Sequence, residues 1–496
     1  MEEKKYILAI DQGTSSTKSL IFDANGIAIA KGSEPLYTNY LDNEFVEQDP
    51  EAIYQNVLAS VKKCLQQFYE KGFQENDIAA IGIDNQRETF VIWDKEGKPL
   101  YPAVVWQCKR SVQVCEQLKT NGLSATIQQK TGLVVDPYFS ATKLIWLVQN
   151  NETIKQSVQN GEAFFGTIDT WLLYKLTGGK EYATDYTNAS RTLLFNLHTL
   201  QWDDELIAAF GLTGIQLPQI KPSSFLFGTT TLDGLFKNKI PISSLIGDSH
   251  AAAFGEGCFE AGTAKATLGT GCSVLMNIGD KPLESNNGMV TTVCWSTEDR
   301  IDFAYEGVIV SCGATIEWLK NELNLFSDSK ETEAMANAVA DNGGVYLVPA
   351  FSGLGSPHWQ MERRASLSGI SFGTTKNHIV RAALESIPYQ IMDVVTAMEK
   401  DAGVSLKELN ADGGITSNRF VVQLIANLLN KNVATIGMPD VSALGTALLA
   451  GLKVGVYESL GALKKINSNK KYFHPADTTE ALKNYEGWQK GINSSC

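Results

Sequence analysis

The fold of this 496-residue chain is decided near its start, in the stretch Tyr6-Ile7-Leu8-Ala9-Ile10-Asp11-Gln12-Gly13-Thr14-Ser15-Ser16-Thr17-Lys18-Ser19-Leu20-Ile21-Phe22. Apolar runs at residues 6–10 and 19–22 flank a polar turn over residues 11–18, a pattern that predicts a β-hairpin. Small turn residues let backbone N–H groups approach phosphate oxygens, Lys18 adds charge, and Asp11 could hold Mg²⁺ through water. Glycine-rich turns are also common in hairpins that bind nothing, so this turn alone leaves both interpretations open.

A second strand-turn-strand pattern lies about half a chain later, over residues 265–279. A short apolar run precedes the turn Gly269-Thr270-Gly271-Cys272, and a second apolar run follows it. Two glycine-threonine turns are what two similar α/β domains would offer to one phosphate ligand held between them. The sequence therefore predicts two domains, residues 1–254 and 255–496.

The rest of the chain alternates between helical and strand-like patterns. Apolar residues three and four apart predict helices over residues 51–69, 316–325, 379–398 and 420–429. Short apolar runs predict strands over residues 78–83, 344–349 and 433–436. This alternation favours βα units on mixed sheets over an all-helical or an all-β fold.

Composition and charge exclude several function classes. Hydrophobic residues make up 44% and charged residues 20% of the chain, and 42 basic against 55 acidic residues leave a formal charge of −13. Broad electrostatic capture of nucleic acid or of an anionic membrane is therefore unfavourable, and a phosphate-binding site must be local.

Cysteine, histidine and hydropathy patterns indicate the compartment and the metal chemistry. No apolar run reaches the length of a signal peptide or a membrane span, and the eight cysteines include no CxxC pair. The five histidines show no HxxxH or HExxH spacing, which argues against a dedicated zinc site. We expect a cytoplasmic protein with free thiols, in which any metal is oxygen-bound Mg²⁺.

Three other polar clusters could carry chemistry, and each also has a purely structural interpretation. The turn at residues 412–414, before Asn418, is either a β-turn with a helix cap or a contact for a nucleotide base. Asp248 either caps a helix or serves as a base, and His250 beside it is assigned no role. Arg87 and Glu88 form either a surface ion pair or a grip on the hydroxyls of a polyol, with Trp106 covering its carbon chain.

The order and surroundings of these motifs resemble the FGGY family of carbohydrate kinases over nearly the whole chain. Residues 138–150 are similar to the first signature of that family, and residues 368–385 to the second. Blocks similar to the members that phosphorylate glycerol are residues 9–14, 85–89, 106–108, 185–191 and 348–351. These blocks are long and specific.

The resemblance implies a fold, two cofactors and a set of site residues. It implies two actin-like ATPase domains of the ribonuclease-H type, which close on ATP, Mg²⁺ and a small polyol. The first domain would hold the substrate and the catalytic aspartate, and the second the adenosine. Asp248 matches the catalytic base of the family, and Asp11 matches its magnesium-associated carboxylate. The matched ATP positions are Thr14, Ser15, Ser16, Lys18, Thr270, Gly313, Ile316, Glu317, Gly414 and Asn418. The matched substrate positions are Arg87, Glu88, Trp106, Tyr138 and Asp248, joined by Ser249 and Ser273.

The implied reaction is ATP-dependent phosphorylation of a primary hydroxyl, with glycerol converted to glycerol 3-phosphate. Ser249 and Ser273 depart from the resemblance, because glycerol-phosphorylating members usually have glutamine and phenylalanine there. Both changes remove volume and add hydroxyls, which favours a longer substrate such as erythritol, threitol, a pentitol or a ketose (xylulose, ribulose) as the alternative. We expect a homo-oligomer, a dimer or a tetramer, as in the family.

A non-kinase ATPase of the actin-like class is the more distant alternative. Such a protein would share both phosphate turns and the adenosine turn. It would not need the polar block at residues 85–88, Trp106 or the signature around Lys143.

Overall fold

The computed structural model describes residues 5–41, 44–360, 362–438, 440–466 and 470–493. In the first half, the strands are β1 (Tyr6–Gln12), β2 (Ser16–Phe22), β3 (Ala28–Pro35), β4 (Asn39–Leu41), β5 (Phe45–Gln48), β6 (Ile78–Asn85), β7 (Phe90–Trp93), β8 (Ala103–Val104), β9 (Phe164–Thr167), β10 (Ala183–Asp185), β11 (Phe195–Asn196), β12 (Gln201–Trp202), β13 (Gln219–Lys221), β14 (Ser224–Thr230) and β15 (Ile240–Gly247). The helices of this half are α1 (Pro50–Glu70), α2 (Val112–Thr120), α3 (Ser124–Thr131), α4 (Ser140–Asn150), α5 (Glu152–Gln159), α6 (Ile168–Leu176), α7 (Tyr186–Ala189), α8 (Asp204–Ala209) and α9 (Asp248–Gly255).

The second half continues with a similar alternation. Its strands are β16 (Thr263–Leu268), β17 (Cys272–Gly279), β18 (Val290–Ser296), β19 (Ile301–Ile309), β20 (Tyr346–Val348), β21 (Ser366–Ser368), β22 (Glu408–Asp412), β23 (Val433–Ile436) and β24 (Lys470–Phe473). Its helices are α10 (Gly313–Asn321), α11 (Glu331–Asn337), α12 (Lys376–Ala402), α13 (Arg419–Leu429), α14 (Val441–Lys453), α15 (Leu460–Leu463) and α16 (Thr478–Asn493). No helix among the described residues is long and apolar enough to cross a lipid bilayer.

The two halves repeat one sheet topology. The first sheet has the order β14-β15-β6-β1-β2-β3, in which β1, β6 and β15 run parallel and β1-β2-β3 form antiparallel hairpins. The second has the order β18-β19-β17-β16-β22-β23-β24, in which β16, β22 and β23 run parallel and β16-β17-β19 are antiparallel. In each sheet, a hairpin strand is followed outward by two parallel strands. The two glycine-threonine turns therefore occupy equivalent places.

The first sheet is buried on both faces. Leu8 and Ile10 of β1 belong to the apolar cluster that packs on α1, whereas Ile7 and Ala9 belong to the cluster that packs on α14. This division follows from the two-residue period of a strand, which sends neighbouring side chains to opposite faces. The helix α14 comes from the second half of the chain, so the first sheet is completed by a distant segment. The predicted domain division at residues 254 and 255 stays a prediction.

A third, five-stranded sheet with the order β4-β5-β8-β7-β9 extends the first half. Helices α2 to α5 contribute to the apolar cluster around it. The segment between β8 and α4 carries Trp106 and Tyr138, so this extension forms the wall on which those aromatic side chains stand.

The predicted helices and strands are present, with different ends. The strand predicted at residues 433–436 coincides with β23, and α1 begins at Pro50 because the Asp49 carboxylate accepts the N–H groups of Glu51 and Ala52. The helix predicted over residues 316–325 is instead α10, which begins earlier and ends at Asn321. It stops there because Asn324 adopts a left-handed conformation with φ of 52°.

The predicted turn over residues 11–18 was too long. Asp11 pairs with Lys18 and Gln12 with Thr17 in the strand register, so only residues 13–15 form the turn. The other residues of the predicted turn lie at the strand ends, where the functional site forms, and they are polar for that reason. Their polarity alone therefore did not distinguish them from loop residues.

Helices α9 and α14 cross at glycine, and this crossing tests the packing of the molecule. A Cβ atom on Gly445 would lie 1.8 Å from the carbonyl oxygen of Ala251 and 2.9 Å from the backbone nitrogen of Gly255. We expect Gly445→Ala to lower the free energy of unfolding by about 3 kcal/mol, because overpacking forces the two backbones apart. Urea unfolding followed by circular dichroism measures this change.

A matched glycine separates crowding from a general effect of alanine. In Gly461→Ala the new methyl group would meet only the Ser459 Oγ at 3.6 Å. This variant should change the free energy of unfolding by less than about 1 kcal/mol. Equal effects of the two substitutions would contradict the tight crossing.

Candidate active site

Three aspartates meet where the parallel strands of the first sheet end. Asp11 of β1 lies opposite Asp84 of β6 in the strand register, and Ile246 of β15 also lies opposite Asp84. Asp248, two residues beyond Ile246, begins α9 at the same edge. The carboxyl ends of neighbouring parallel strands share one edge of a sheet, which is why residues far apart in sequence gather there.

Burial, and after it the mutual repulsion of these carboxylates, raises their proton affinity. Burial raises the pKa of Asp11 to about 6, with Lys18 opposing the shift and the charge of Asp248 adding to it. Burial also raises the pKa of Asp84 well above its usual value, and the charges of Asp11 and Asp248 add to that shift. The edge is therefore a place where a cation or a proton is strongly favoured.

Asp84 had not been assigned as a site residue from the sequence. Both of its carboxylate oxygens are buried and, within the described part of the chain, neither has a hydrogen-bond partner. The available signal was its place as an aspartate near the end of a buried strand, the same signal that singled out Asp11.

Asp11 and Asp84 fit a magnesium ion. No group of three or more His, Cys, Asp or Glu side chains among the described residues is arranged to hold a metal by itself. In enzymes that bind substrate phosphates, Mg²⁺ is usually held by one or two carboxylates, and water and phosphate oxygens complete its octahedral coordination. A buried carboxylate without a partner, beside a second carboxylate, meets that requirement.

Side-chain amides form hydrogen bonds with the first predicted phosphate turn, residues 13–15. The Thr14 hydroxyl lies 3.2 Å from the Gln86 Oε1, and its carbonyl accepts a 2.7 Å hydrogen bond from the Gln48 amide. The indole N–H of Trp106 donates to the Thr14 hydroxyl over 3.0 Å. Trp106 therefore links the predicted phosphate turn to the predicted substrate wall. Of the other predicted residues, Ser15 lies in the turn and Ser16 begins β2.

Lys18 stands on β2 beside this turn. Its ammonium lies 4.0 Å from an Asp11 oxygen and 3.2 Å from an oxygen of Asp440, the residue before α14. Burial lowers the pKa of Lys18, but Asp11 and Asp440 outweigh this effect and raise it, so the lysine remains charged. The partner Asp440 was not predicted, because it comes from the other half of the chain.

Arg87 and Glu88 do not pair with each other, and neither is a surface residue. The Arg87 guanidinium binds both oxygens of Glu306 in β19 over 3.0 and 2.7 Å, and its Nε lies 3.4 Å from Asp248. Glu88 accepts a 2.6 Å hydrogen bond from Arg191, which also lies 2.8 Å from Glu306. The interpretation as a surface ion pair is therefore wrong.

Glu306 and Arg191 complete a buried cluster of four charges that joins the two halves of the chain. Burial alone would raise the pKa of Glu306, but Arg191 and Arg87 hold it well below its usual value. Both residues were missed as site residues. Arg191 lies in a block that resembled the family, whereas Glu306 reaches the site only through long-range strand pairing.

A buried lysine fixes the aromatic wall. The Lys143 ammonium donates to the carbonyls of Pro137, Tyr138 and Phe139 over 2.6, 2.7 and 2.9 Å. The Tyr138 ring meets the Trp106 ring edge-on, with centroids 5.5 Å apart. Burial lowers the pKa of Lys143 to about 8. Lys143, which is fully buried, therefore holds the backbone of this wall.

Asp248 is the first residue of α9, and its orientation is set locally. The Gly247 N–H donates to the Thr187 hydroxyl over 2.9 Å, and the Asp248 carboxylate accepts the Ser249 N–H over 2.6 Å. Its side chain remains 39% exposed, open to the cleft. Burial raises the pKa of Asp248, and Arg87 opposes the shift. Helix α9 has Gly247 at its N-cap with no side-chain cap hydrogen bond, so Asp248 is the first residue of the helix and does not cap it, and its role as a base stays a prediction.

Ser249 and Ser273 face each other across the cleft, with their hydroxyl oxygens 3.3 Å apart. The buried Lys265 of β16 donates to Ser249 over 2.6 Å and to Thr267 over 2.8 Å. Ser273 donates to Glu306 over 2.8 Å. His250, the next residue of α9, is fully buried, and within the described residues neither ring nitrogen has a hydrogen-bond partner.

The second predicted phosphate turn, residues 269–271 between β16 and β17, is packed against the start of α10. The Gly313 N–H donates to the Gly269 carbonyl over 2.9 Å, and the Ala314 N–H donates to the Thr270 carbonyl over 3.0 Å. A Cβ atom on Gly313 would lie 2.7 Å from the Gly269 oxygen, so only glycine permits this approach. The turn and the helix start therefore form one unit.

The predicted adenosine residues divide into two groups. Gly414 begins a short 3₁₀ turn after β22, at the sheet edge that carries Thr270, and Asn418 caps α13 by accepting the Val421 N–H. Of the two α10 residues, Glu317 is exposed, whereas Ile316 is buried in the apolar core. The Ile316 side chain is therefore not exposed at this surface, and its predicted place near the nucleotide base stays a prediction.

The fold and the site define a two-domain α/β phosphotransferase, with a glycine-threonine turn on each of two actin-like sheets and a partly exposed carboxylate, Asp248, beside buried charged side chains. The family model "FGGY family of carbohydrate kinases, N-terminal domain" matches residues 6–255, and the corresponding C-terminal domain model matches residues 264–454. The chain belongs to the FGGY family of carbohydrate kinases, and it is a phosphotransferase.

Similar proteins agree over the full length. Glycerol kinase of Carboxydothermus hydrogenoformans is 44% identical over 491 residues, which cover 99% of this chain and 98% of that protein. Glycerol kinase of Treponema denticola is 45% identical over 494 residues, with 99% of both proteins covered. The crystal structure of Plasmodium falciparum glycerol kinase with ADP superposes with a TM-score of 0.92 at 35% identity and covers 98% of this chain and 97% of that one.

The buried cluster around Glu306 generates a stability prediction. In Glu306→Gln the shape is kept, but Arg87 retains only its 3.4 Å contact with the Asp248 carboxylate and Arg191 retains only the Glu88 carboxylate. We expect the free energy of unfolding to fall by about 3–5 kcal/mol, because breaking a buried pair leaves an uncompensated charge. Urea unfolding measures the loss.

The control removes a charge that water screens. Glu116→Gln breaks an exposed pair with Lys119, in which the two side chains are 65% and 47% exposed. Its effect should stay below about 1 kcal/mol. If Glu306→Gln is as mild as this control, the cluster does not join the two halves.

Proposed function

We propose that this protein transfers the γ-phosphoryl group of ATP to a primary hydroxyl of a small polyol, with glycerol the first substrate and glycerol 3-phosphate its product. One observation carries the proposal: the partly exposed Asp248 carboxylate lies 3.4 Å from the Arg87 Nε and follows the end of β15, next to the strand ends that carry Asp11 and Asp84. The names of the most similar proteins support glycerol as the substrate.

The pocket beside Asp248 suits a neutral chain of hydroxyl groups. Arg87 offers donors and Glu88 offers acceptors, while the rings of Trp106 and Tyr138 can cover the carbon atoms. These groups are held by buried partners, so little reorganisation is needed when the substrate binds.

Asp248 acts as the base in this proposal. As the polyol oxygen bonds to the γ-phosphorus, the bond from that phosphorus to the oxygen bridging it to ADP breaks, and the hydroxyl proton passes to the Asp248 carboxylate. A raised pKa makes this carboxylate a better proton acceptor than an exposed aspartate.

The turns at Thr14 and Thr270 would supply N–H and hydroxyl donors to the phosphates from opposite sheets, and Lys18 would add charge. Asp11 and Asp84 would hold Mg²⁺, which when bound neutralises charge on the phosphate oxygens. The adenosine would lie along the turn at Gly414 and Asn418, beside α10.

A non-kinase ATPase of actin-like fold is the less favoured function. The four-charge cluster of Arg87, Glu88, Arg191 and Glu306 holds donors and acceptors at a pocket that such a protein would not use. The cytoplasmic location and the dimeric or tetrameric state stay predictions.

Replacing the proposed base tests the function directly. ADP release by the wild type should rise strongly when glycerol is added, and Asp248→Asn should lower this polyol-dependent rate by about 10²–10⁴-fold, the usual contribution of general base catalysis. ADP affinity, measured by calorimetry, should remain within a few fold of the wild type.

A surface aspartate serves as the control. Asp204→Asn changes an exposed residue of α8 and should retain the wild-type rate. ATP hydrolysis that no polyol on a panel from glycerol to pentitols and ketoses stimulates would rule out the kinase.

The magnesium site gives a separate prediction. Asp84→Asn should weaken the dependence of ADP binding on Mg²⁺, because it removes one of the two proposed carboxylate ligands. Calorimetry with ADP should show that Mg²⁺ enhances affinity in the wild type about tenfold more than in the variant, since a hydrogen bond or charge contact of this kind contributes about 1–3 kcal/mol. An unchanged enhancement would remove Asp84 from the site.

A further inference from the structure

The serine pair on the cleft walls has an unusual geometry. Ser249 is the second residue of α9 and Ser273 the second residue of β17, and both side chains are partly exposed. Their oxygen atoms are 3.3 Å apart, longer than the usual O–H···O distance of about 2.5–3.0 Å. The two hydroxyls are therefore close but poorly bonded to each other.

The neighbours of the pair fix which hydroxyl donates. Lys265 is a donor only, so the Ser249 oxygen accepts from it over 2.6 Å and the Ser249 proton remains available. Glu306 is an ionised acceptor, so the Ser273 proton is committed to it over 2.8 Å and the Ser273 oxygen retains a lone pair. The pair thus presents one donor and one acceptor, side by side.

This arrangement matches a hydroxyl group and few other groups. A hydroxyl donates one hydrogen bond and accepts another, whereas a carbonyl or ether oxygen only accepts and a methyl group does neither. Charge does not select the ligand here, because the anions Asp248 and Glu306 are matched by the cations Lys265 and Arg87.

The proposed function leaves this pair without a partner, and the inference rests on that function. The reacting hydroxyl of glycerol faces Asp248, and the other two hydroxyls are accounted for at Arg87 and Glu88. We propose that Ser249 and Ser273 form a subsite for the hydroxyl of an additional carbon, so that alditols of four or five carbons are phosphorylated more efficiently than glycerol.

The experiment compares four polyols on the purified full-length enzyme. Erythritol and threitol carry a fourth carbon with its hydroxyl, 1,2,3-butanetriol carries the fourth carbon without it, and glycerol lacks both. We expect kcat/KM for the better tetritol to exceed that for butanetriol and glycerol by about tenfold or more, because a polar subsite left unpaired discriminates strongly.

Three variants assign the effect to the serines. Ser249→Ala and Ser273→Ala should each reduce the ratio of kcat/KM for the tetritol over butanetriol toward one. Ser273→Thr, which keeps the hydroxyl and its bond to Glu306, should retain a ratio above that of Ser273→Ala. Circular dichroism and thermal unfolding establish that each variant is folded.

The outcomes separate the inference from the function beneath it. If no polyol stimulates ADP release, the proposed function itself fails. If glycerol is phosphorylated at least as efficiently as both tetritols, the function stands and the inference is overturned. If butanetriol matches the tetritols, the pocket selects volume, and a hydroxyl subsite is likewise overturned.

Discussion

The buried carboxylate of Glu306 is the contact on which the two halves of the site depend. It belongs to the second sheet, yet both of its oxygens are bound by Arg87 and Arg191 of the first half, and Ser273 adds a further donor. Removing charges from water costs several kcal/mol for each ion, so such a cluster is stable only when every member keeps its partners. The pocket geometry is therefore tied to the correct docking of the two halves.

The repeated sheet topology explains why the reacting groups can meet. In each half, the parallel strands end at the same edge as the hairpin turn, which places Thr14 near three aspartates and Thr270 near the turn at Gly413. The carboxyl ends of the strands expose backbone and side-chain groups, whereas the corresponding groups in the middle of the sheet are buried. Helices α1 and α14 cover the faces of the first sheet, so its chemistry is confined to that edge.

Local patterns predicted much of this arrangement, and long-range pairing accounts for what they missed. Both hairpins were predicted because strand and turn preferences act over a few residues. Asp84 lies near the end of a predicted strand, but no local pattern marked it as a site residue. Its proposed role depends on its position opposite Asp11 on the adjacent strand. Glu306 lies 219 positions from Arg87, so no local pattern joins them. The resemblance to a family indicated most of the other candidate site residues. It did not reveal that Arg87 pairs with Glu306 whereas Glu88 pairs with Arg191.

Charge raises one more constraint on the nucleotide. The chain carries a formal charge of −13, and the carboxylates of Asp11, Asp84 and Asp248, which this total already includes, repel a triphosphate when they are ionised. Lys18 offsets this repulsion only in part, because its ammonium lies 3.2 Å from Asp440, a carboxylate that also accepts a 2.6 Å hydrogen bond from Lys31. A triphosphate must then either draw Lys18 away from Asp440 or arrive with its own cation for Asp11 and Asp84. The second route satisfies the buried oxygens of Asp84, which within the described residues have no hydrogen-bond partner, and it leaves the ion pair between Lys18 and Asp440 intact. Asp440 immediately precedes α14, which covers one face of the first sheet, and both Lys18 of β2 and Lys31 of β3 bind it, so the two lysines tie the start of α14 to that sheet.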